Sequence, residues 1–599
     1  MLTYLDVHLM YTLPVIGALA LISWPFLTRS EIFKIALICG ISIVYTTPWD
    51  NYVVWKGGWT YPEDRVLAFI GYVPVEEYMF FVIQSTMTSL WALLCVRWST
   101  PCLNFNYDRS TYLLIRWIPI AGFGVLAVVG YEIAVPGHHT FYTGCVLWWM
   151  CPVLMFMWYG GGNFFVKKIV SATAAVILPS LYLCWVDQLA LKNNVWHINK
   201  LTSYNVFVAE DLPYEEAFFF FVVNFTIVLA GACFDKARGI METYTSEYPL
   251  RFAINGPYIN QMLRAFIVSE YLMPSVVTED IQKSINVLNV ASKSFTTASF
   301  LFQAGIRLDL IILYAFCRVT DDMIDNEPDI NKKKIKLQLT EKFINELFAD
   351  RKSDYDVKKK SHTVNINWAQ YETKLTDVEM SSFRALTRIA FYLPRKPFYE
   401  LLAGYQWDID GRLFRNEADL MEYCNYVAGS VGVLCVYIMM YRCDDDKFDL
   451  LESYDYVIDK AQQMGRVLQL VNIARDIVTD SKTLGRCYIP TEYMDDKQEE
   501  IRILCDEKNP RSLGDKKLKK YSKRMIQLAD QYQSESVDAI KCLPNEVRGS
   551  VLAATEIYRG NISAIKTSPT YPTRAALPRL HKIFLGLYSL YIKSNRFIL

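Results

Sequence analysis

The chain has 599 residues, 52% of them hydrophobic, with 62 basic and 62 acidic side chains. This length predicts two or more domains, and the zero net charge shows no basic excess of the kind that favours nucleic-acid binding. The fourteen cysteines are scattered, without a Cys-x-x-Cys pair. They indicate reduced thiols and exclude an obvious disulfide framework or zinc site.

Charge is unevenly distributed along the chain. The first 240 residues hold 13 basic and 15 acidic side chains, whereas the remaining 359 residues hold the other 96. Most apolar segments of the first part approach the roughly 20 residues needed to cross a bilayer. We therefore predict a seven-span transmembrane helical domain over residues 1–240, with spans near Val7–Leu27, Ile32–Thr47, Tyr78–Val96, Tyr112–Ala134, Phe141–Tyr159, Ile169–Val186 and Ala217–Phe234.

The basic residues of this part predict its orientation. Nine of the thirteen fall in one set of loops and span ends, and four in the opposite set. Basic residues accumulate on the cytosolic side of membrane proteins, so the amino terminus is expected outside or in the lumen and the end of span seven in the cytosol. We predict a multi-pass integral protein of the endoplasmic reticulum, surrounded by membrane lipid.

The membrane part contains an internal repeat. Val73-Pro-Val-Glu-Glu-Tyr-Met-Phe-Phe-Val82 recurs as Leu212-Pro-Tyr-Glu-Glu-Ala-Phe-Phe-Phe-Phe221, and Trp49-Asp50 has a looser echo in Trp185-Val-Asp187. Spans two and three therefore correspond to spans six and seven in the same order. We predict a tandem three-span repeat joined by span four.

Each copy of the repeat places a pair of glutamates at the start of a span. Acids in the first turn of a helix are often explained by favourable interaction with the helix dipole alone. Acidic groups near hydrocarbon, however, are energetically costly and often functional. A carboxyl group kept in apolar surroundings stays protonated, as a general acid must. Neighbouring helical residues diverge by about 100°, which lets one member of each pair face a shared cavity. The candidate catalytic acids are Glu76, Glu77, Glu215, Glu216 and Asp50, the last expected in a loop after span two, with Glu77 and Glu216 preferred.

Thr47-Pro-Trp-Asp-Asn-Tyr52 and the two Pro-x-Glu-Glu copies resemble the integral-membrane lycopene cyclases of fungi, archaea and some bacteria. The resemblance implies lycopene β-cyclase activity: proton donation to the end of the polyene, ring closure on the carbocation, and proton loss, giving γ- or β-carotene. The reaction is redox-neutral, and the sequence has no Gly-x-Gly-x-x-Gly fingerprint of a flavin or nicotinamide fold.

Residues 241–278 are mixed in composition and are predicted to be a linker. From residue 279 to 599, long helical patterns predict an all-α domain. Within it, Leu313–Asp325 places Asp321 and Asp325 on one helical face, with Arg318 three residues before the first. This arrangement favours Mg²⁺ bridging to a diphosphate, because Mg²⁺ binds one or two carboxylates plus phosphate oxygens.

A second set of such side chains follows about 150 residues later. Gln469, Asn472, Asp476 and Asp480 are spaced by three, four and four residues, with Arg475 beside them. The spacing places all four on one helical stripe. Two such helices facing each other would form a cage for a metal–diphosphate cluster.

Both motifs resemble those of the squalene and phytoene synthase family. Three further stretches agree in order: Ser292-Lys-Ser-Phe295, Tyr423-Cys-x-Tyr-Val-Ala-Gly429 and Gly485-Arg-x-Tyr-Ile-Pro490. The resemblance implies an isoprenoid synthase fold that condenses two geranylgeranyl diphosphates, through prephytoene diphosphate, to 15-cis-phytoene. It also implies the residue roles. The metal ion, Mg²⁺ or alternatively Mn²⁺, would be bound by Asp321, Asp325, Asn472, Asp476 and Asp480. The substrate would be bound by Ser292, Lys293, Phe295, Tyr314, Arg318, Gln469 and Arg475. Tyr423 would be a catalytic residue.

Together the two resemblances predict a bifunctional carotenoid-synthesising transferase and isomerase, with the synthase domain in the cytosol. Phytoene must be desaturated before cyclisation, so a phytoene desaturase is the expected partner enzyme. The alternative is a squalene-synthase-like enzyme fused to a seven-span receptor or transporter-like module; the last predicted span has no lysine for a retinal Schiff base. Whether one or both lycopene ends are cyclised stays open.

Overall fold

The computed structural model describes residues 2–98, 108–244, 259–357, 364–443, 455–567, 570–571 and 577–594. These residues form two compact units. The first comprises the described residues up to Tyr244 together with 259–275, and the second comprises the described residues from Val276 onward.

Seven long helices make up most of the first unit, and all are long and apolar enough to cross a membrane. They correspond one to one with the predicted segments. An eighth helix of this kind, Glu417–Cys443, lies in the second unit. The seven are α1 (Tyr4–Phe26), α2 (Arg29–Trp55), α3 (Val75–Val96), α4 (Arg109–Ile133), α5 (Phe141–Lys167), α6 (Ile169–Lys192) and α7 (Tyr214–Thr243).

Helix α2 corrects the expectation that Asp50 lies in a loop. The helix continues through Pro48 to Trp55, so Asp50 is helical. A proline inside a helix removes one backbone hydrogen bond, but the residues after it are anchored by packing. Trp49 donates from Nε1 to the Cys145 carbonyl at 3.0 Å, and its ring stacks on Trp149 with 4.1 Å between centroids.

Short antiparallel strand pairs connect the helices of the first unit. Strand β2 pairs with β3 just before α3, and β5 pairs with β6 just before α7. Pro74 and Pro213 end these hairpins with nearly identical backbone angles, φ −64° and ψ 152° or 151°, so α3 and α7 begin in the same way. The six strands are β1 (Trp59–Thr60), β2 (Phe69–Ile70), β3 (Val73–Pro74), β4 (His197–Ile198, paired with β1), β5 (Phe207–Ala209) and β6 (Leu212–Pro213).

Part of the predicted linker has regular structure. Helix α7 continues to Thr243, and helix α8 (Ile259–Ile267) belongs to the first unit. The buried ammonium group of Lys236 donates to three carbonyls at the end of α8: Ala265, Phe266 and Val268, at 3.0, 2.8 and 2.7 Å. These bonds fasten α8 to α7.

The second unit is helical, and no strand occurs among its described residues. The all-α prediction for this part is therefore confirmed. Its helices are α9 (Ser275–Ala291), α10 (Lys293–Ser299), α11 (Ala304–Asp325), α12 (Ile330–Leu347), α13 (Ala369–Glu372), α14 (Asp377–Thr387), α15 (Lys396–Ile409), α16 (Glu417–Cys443, with a π-helical turn at Asn425–Gly429), α17 (Asp455–Leu484), α18 (Lys497–Ile501), α19 (Asp515–Asp538), α20 (Asn545–Thr567) and α21 (Arg579–Tyr588).

A buried ion pair fixes the position of α11. Arg442 on α16 donates from Nε and Nη2 to the two oxygens of Asp309, at 2.6 and 2.8 Å. Tyr392 donates to the same carboxylate at 2.6 Å. Both charged side chains are almost fully buried, so each depends on the other for stability. Asp309 lies on the helix that carries the first aspartate motif.

Candidate active sites

A cavity of about 60 Å³ lies within the helices of the first unit. By volume it can hold several water molecules or the end of a slender ligand. Four carboxyl groups line it, from Asp50, Glu77, Asp187 and Glu216. The remaining lining is largely aromatic and aliphatic, and no lysine or arginine occurs among the described residues that line it.

The two glutamates of each Pro-x-Glu-Glu copy point in different directions. Glu76 and Glu215, both fully buried, accept hydrogen bonds from backbone amides of the preceding loops. The Leu67 amide donates to Glu76 Oε1 at 2.7 Å, and the Tyr204 amide donates to Glu215 Oε1 at 2.6 Å. These two glutamates hold the loops, whereas Glu77 and Glu216 line the cavity.

Tyrosine hydroxyls orient the two cavity glutamates. Tyr4 and Tyr61 donate to Glu77 Oε2 at 2.6 and 3.0 Å, and Tyr142 donates to Glu216 Oε1 at 2.9 Å. Two similar sets of side chains therefore meet in one cavity. One set is Tyr4, Asp50 and Glu77, from α1, α2 and α3; the other is Tyr142, Asp187 and Glu216, from α5, α6 and α7.

Asp50 has the fewest hydrogen-bond partners of these four acids. Its side chain is 1% exposed, yet neither carboxyl oxygen has a hydrogen-bond partner. Asp187 accepts from Trp196 Nε1 at 3.2 Å, and its second oxygen has none. Buried polar groups are normally paired, and ionised ones especially so. An unpaired carboxyl group in such a site must therefore be protonated and neutral, or must have a ligand bound beside it.

Sequence reasoning did not select Asp187, Tyr4, Tyr61, Tyr142 or His8, which also line this cavity. The echo of Trp49-Asp50 in Trp185-Val-Asp187 was the signal for Asp187. Single tyrosines in apolar helices give no such signal. His8 is fully buried in a π-helical turn of α1. Its Nε2 donates to the Glu76 carbonyl oxygen at 3.0 Å, and its Nδ1 lies 3.4 Å from the Thr12 hydroxyl oxygen.

The second site lies where α11 and α17 bring the two aspartate motifs together. On α11, Arg318 donates to Asp322 from Nε and Nη2, at 3.0 and 2.6 Å, and to Asp321 from Nη1, at 3.3 Å. On α17, Arg475 donates from Nε to Asp476 Oδ1 at 2.9 Å. The main partner of Arg318 is thus Asp322, to which the sequence analysis assigned no role.

Arg486 and Asp408 join the motifs to the predicted catalytic tyrosine. Arg486 Nη1 lies 2.7 Å from Asp325 Oδ1 and 3.5 Å from Asp408 Oδ2. Tyr423 donates from its hydroxyl to the same Asp408 oxygen at 2.9 Å. Gly485, at φ +65°, turns the chain at the end of α17 and so directs Arg486 back toward the site. Arg486 belongs to a motif that the sequence displayed, but it was not assigned a role there.

The carboxyl groups of this site are crowded. Burial, and next the neighbouring Asp325, raise the pKa of Asp321 well above its usual range. Burial and Asp476 raise the pKa of Asp480 to about 8, and Asp325 of the other motif also contributes. Burial raises the pKa of Asp408 to about 6, against the opposing effect of Arg486. Burial and mutual repulsion therefore make these carboxyl groups hard to ionise without a bound cation.

These residues suit a divalent metal ion that is shared with a phosphate ligand. The Asn472 side-chain oxygen is buried without a hydrogen-bond partner, and a bound cation would favour the ionised form of the crowded carboxyls. No three acidic, histidine or cysteine side chains in the described ranges could enclose an ion by themselves. Mg²⁺ does not need such an enclosure, since it keeps several water or phosphate oxygens.

The other predicted substrate residues lie at the start of α10, on α11 (Tyr314) and on the stripe of α17. Ser292 caps α10 by accepting from the Phe295 amide at 3.2 Å, and Phe295 stacks on Tyr314 with 5.0 Å between ring centroids. Lys293 is exposed, and Gln469 is partly buried. Phe295 and Tyr314 thus form an aromatic wall, in which Tyr314 lies one turn before Arg318 on α11.

An all-α unit in which two acidic helices and several arginines converge defines a prenyl-diphosphate synthase of the squalene/phytoene type. Residues 288–581 match the family model described as squalene/phytoene synthase. Similarity to curated proteins extends over nearly the whole chain. A bifunctional lycopene cyclase/phytoene synthase of Blakeslea trispora is 36% identical over 598 residues, covering 98% of this chain and 96% of the relative.

Relatives with the same description occur in Phycomyces blakesleeanus, with 34% identity over 97% of this chain and 95% of the relative, and in Sporisorium reilianum, with 31% identity over 93% and 92%. The chain therefore belongs to the bifunctional lycopene cyclase/phytoene synthase family. The alternative of a squalene-synthase-like enzyme fused to a receptor or transporter is not favoured.

Proposed function

We propose that this chain makes phytoene in its second unit and cyclises lycopene in its first. The single observation that carries the cyclase assignment is the buried Asp50 carboxyl group, unpartnered in a cavity with three further acids. The synthase assignment rests on the family match and on the converging aspartate motifs. The two sites need different chemistry: one places several acids beside arginines, and the other has acids with no lysine or arginine among the described residues that line it.

In the synthase, Asp321, Asp325, Asn472, Asp476 and Asp480 would hold divalent ions, with Mg²⁺ the expected metal. When bound, these ions neutralise the charge that develops on the departing diphosphate. Arg318 and Arg475 bind diphosphate oxygens, and Arg486 keeps Asp325 and Asp408 in place. The aromatic wall of Phe295 and Tyr314 excludes water from the allylic cation that remains. One geranylgeranyl diphosphate loses its diphosphate, the double bond of the other attacks the allylic cation, and proton loss closes the cyclopropane of prephytoene diphosphate. This intermediate then loses its own diphosphate, and the cation rearranges and loses a proton to give phytoene.

In the cyclase, a protonated cavity acid donates its proton to the terminal double bond of lycopene. The resulting cation is attacked by the neighbouring double bond, which closes the ring. The ring cation then loses a proton to the carboxylate that donated at the start, so the acid is regenerated and no redox cofactor is consumed. Glu77 and Glu216 are the proposed donors, because tyrosine hydroxyls fix their direction. Asp50 and Asp187 stabilise the cation, which forms in the same cavity and supplies the bound partner that their unpaired oxygens lack.

The wider arrangement follows from the same proposal. The two Tyr-Asp-Glu sets support a tandem three-span repeat, and the distribution of basic residues supports seven spans with the synthase unit in the cytosol, in the membrane of the endoplasmic reticulum. The cyclase would comprise residues 1–240 and the synthase 279–599. A desaturase working in the same membrane would convert the product of the second unit into the substrate of the first.

The test is pigment analysis in bacteria that express the full chain. Cells supplied with geranylgeranyl diphosphate should accumulate phytoene, and cells that make lycopene should accumulate γ- or β-carotene. With Asp50→Asn, phytoene should persist while ring-bearing product falls strongly. Unchanged cyclisation by Asp50→Asn would refute its proposed role, and no cyclised product from the unsubstituted chain would refute the cyclase assignment.

A further inference from the structure

A long apolar groove runs along the outer surface of the first unit, lined mainly by one face of α2 and completed by Trp148 and Trp149 of α5. Its volume is about 1,130 Å³, and its described lining residues include no charged side chain. The lining on α2 extends from Ala36 to Tyr52. The sixteen helical steps from Ala36 to Tyr52 rise about 24 Å, which is most of the roughly 30 Å hydrocarbon core of a bilayer. The groove is therefore shaped for a long, linear, uncharged molecule.

The groove and the acid cavity share one wall. Trp49 lines both of them, and Asp50, with its unpartnered carboxyl group, follows directly in the chain. The Trp49 ring is stacked between Trp149, at 4.1 Å, and Phe219, at 6.0 Å between centroids. The groove therefore reaches a residue that also borders the acid cavity.

We infer that this groove binds the extended hydrocarbon chain of the polyene substrate and presents its end to the acid cavity. The inference rests on the proposed cyclase function and adds where the rest of the substrate lies. The cavity of about 60 Å³ is far too small for a whole polyene, so most of the chain must lie outside it. The groove is continuous with the cavity wall and open to the hydrocarbon in which such a substrate dissolves.

Gly40 offers a way to fill the groove without disturbing the helix packing. It lines the groove, and a Cβ added there meets no atom within 4 Å. Gly122 on α4 is a matched control, because it is equally open but does not line the groove. Gly40→Phe should block the path, Gly40→Ala should be nearly neutral, and Gly122→Phe should have no effect on substrate binding.

The experiment measures ring-bearing product formed by the full chain in lipid vesicles as the lycopene content is varied. Gly40→Phe should raise the lycopene content needed for half-maximal rate by at least about tenfold, the scale expected for a steric misfit in an apolar site. Gly122→Phe and Gly40→Ala should stay within about twofold of the unsubstituted chain on the same scale. A Gly40→Phe variant with unaltered lycopene dependence would overturn the inference, and so would an equal loss in Gly122→Phe.

A second measurement needs no substitution. A polyene of half the length with the same end group fills less of the groove, so the unsubstituted chain should need at least about tenfold more of it than of lycopene for half-maximal cyclisation. Equal dependence on the two polyenes would mean that only the end is recognised and would overturn the inference. Absence of cyclised product from lycopene itself is a different result, which refutes the proposed function and the groove assignment with it.

Discussion

The two glutamates of each Pro-x-Glu-Glu copy should respond in opposite ways to the same substitution. Glu77→Gln and Glu216→Gln remove the only transferable proton from side chains that tyrosines direct into the cavity. Loss of a positioned general acid lowers rates by about 10²–10⁴-fold, which corresponds to about 3–5 kcal/mol in activation free energy. Each of these variants should therefore lose cyclisation while the unit stays folded.

Glu76→Gln and Glu215→Gln should instead lower stability. The glutamine oxygen still accepts from the Leu67 or Tyr204 amide, but its amide nitrogen replaces Oε2, which is buried without a partner in both glutamates. An unsatisfied buried donor costs about 1–3 kcal/mol. Thermal unfolding should shift downward, while cyclisation per folded molecule stays within several-fold of normal.

The assay is chromatographic analysis of carotenoids in lycopene-producing bacteria, normalised to folded protein in membranes. Phytoene formation from geranylgeranyl diphosphate provides the internal control, because all four substitutions lie outside the second unit. The reverse pattern, with Glu76→Gln and Glu215→Gln inactive and Glu77→Gln and Glu216→Gln active, would refute the assignment of the proton donors.

The other predictions concern the second unit and the membrane topology. Asp476→Ala should abolish phytoene formation and spare cyclisation of supplied lycopene, since it removes one proposed metal ligand; a normal phytoene rate would contradict the metal-binding role. Asp309→Ala should lower the free energy of unfolding by about 3–5 kcal/mol, because it removes the carboxylate that pairs with the buried Arg442. The control Asp354→Ala breaks an exposed pair with Arg395 and should lower it by at most about 1 kcal/mol. Equal losses in denaturant titrations would contradict the argument. A reporter fused after Arg238 should lie in the cytosol and a tag before Leu2 on the opposite side; finding both on one side would require an even number of spans.

The aspartate helices could be predicted because their signals are periodic. Asp321 and Asp325, and likewise Asn472, Asp476 and Asp480, recur at helical spacing, so each set had to share a face. The residues that connect the two sets carry no such periodicity. Arg486 reaches Asp325 only because Gly485 turns the chain after α17, and such a tertiary path cannot be derived from spacing alone.

In the first unit, the repeated glutamate pairs were visible in the sequence. Which member of each pair faces the cavity could be stated only as a preference for Glu77 and Glu216. The 100° divergence of neighbours implied that one of each pair faces inward, but the choice depends on which loop amide lies nearby. Asp50 was expected in a loop, but the helix continues through Pro48 to Trp55, and Trp49 stacks on Trp149 just after the proline. Tyr4 and Tyr142 could be recognised only once their hydroxyls were seen to meet Glu77 and Glu216.

The central claim is that one chain has two active sites with different requirements, one metal-dependent and one acid-driven. The most direct test supplies the purified full chain, in lipid vesicles, with either geranylgeranyl diphosphate or lycopene, in the presence of Mg²⁺ or of a chelator. We expect phytoene only when Mg²⁺ is present, and ring-bearing carotenoid from lycopene at the same rate under both conditions. Loss of cyclisation on chelation, or phytoene formation without a divalent cation, would contradict the account.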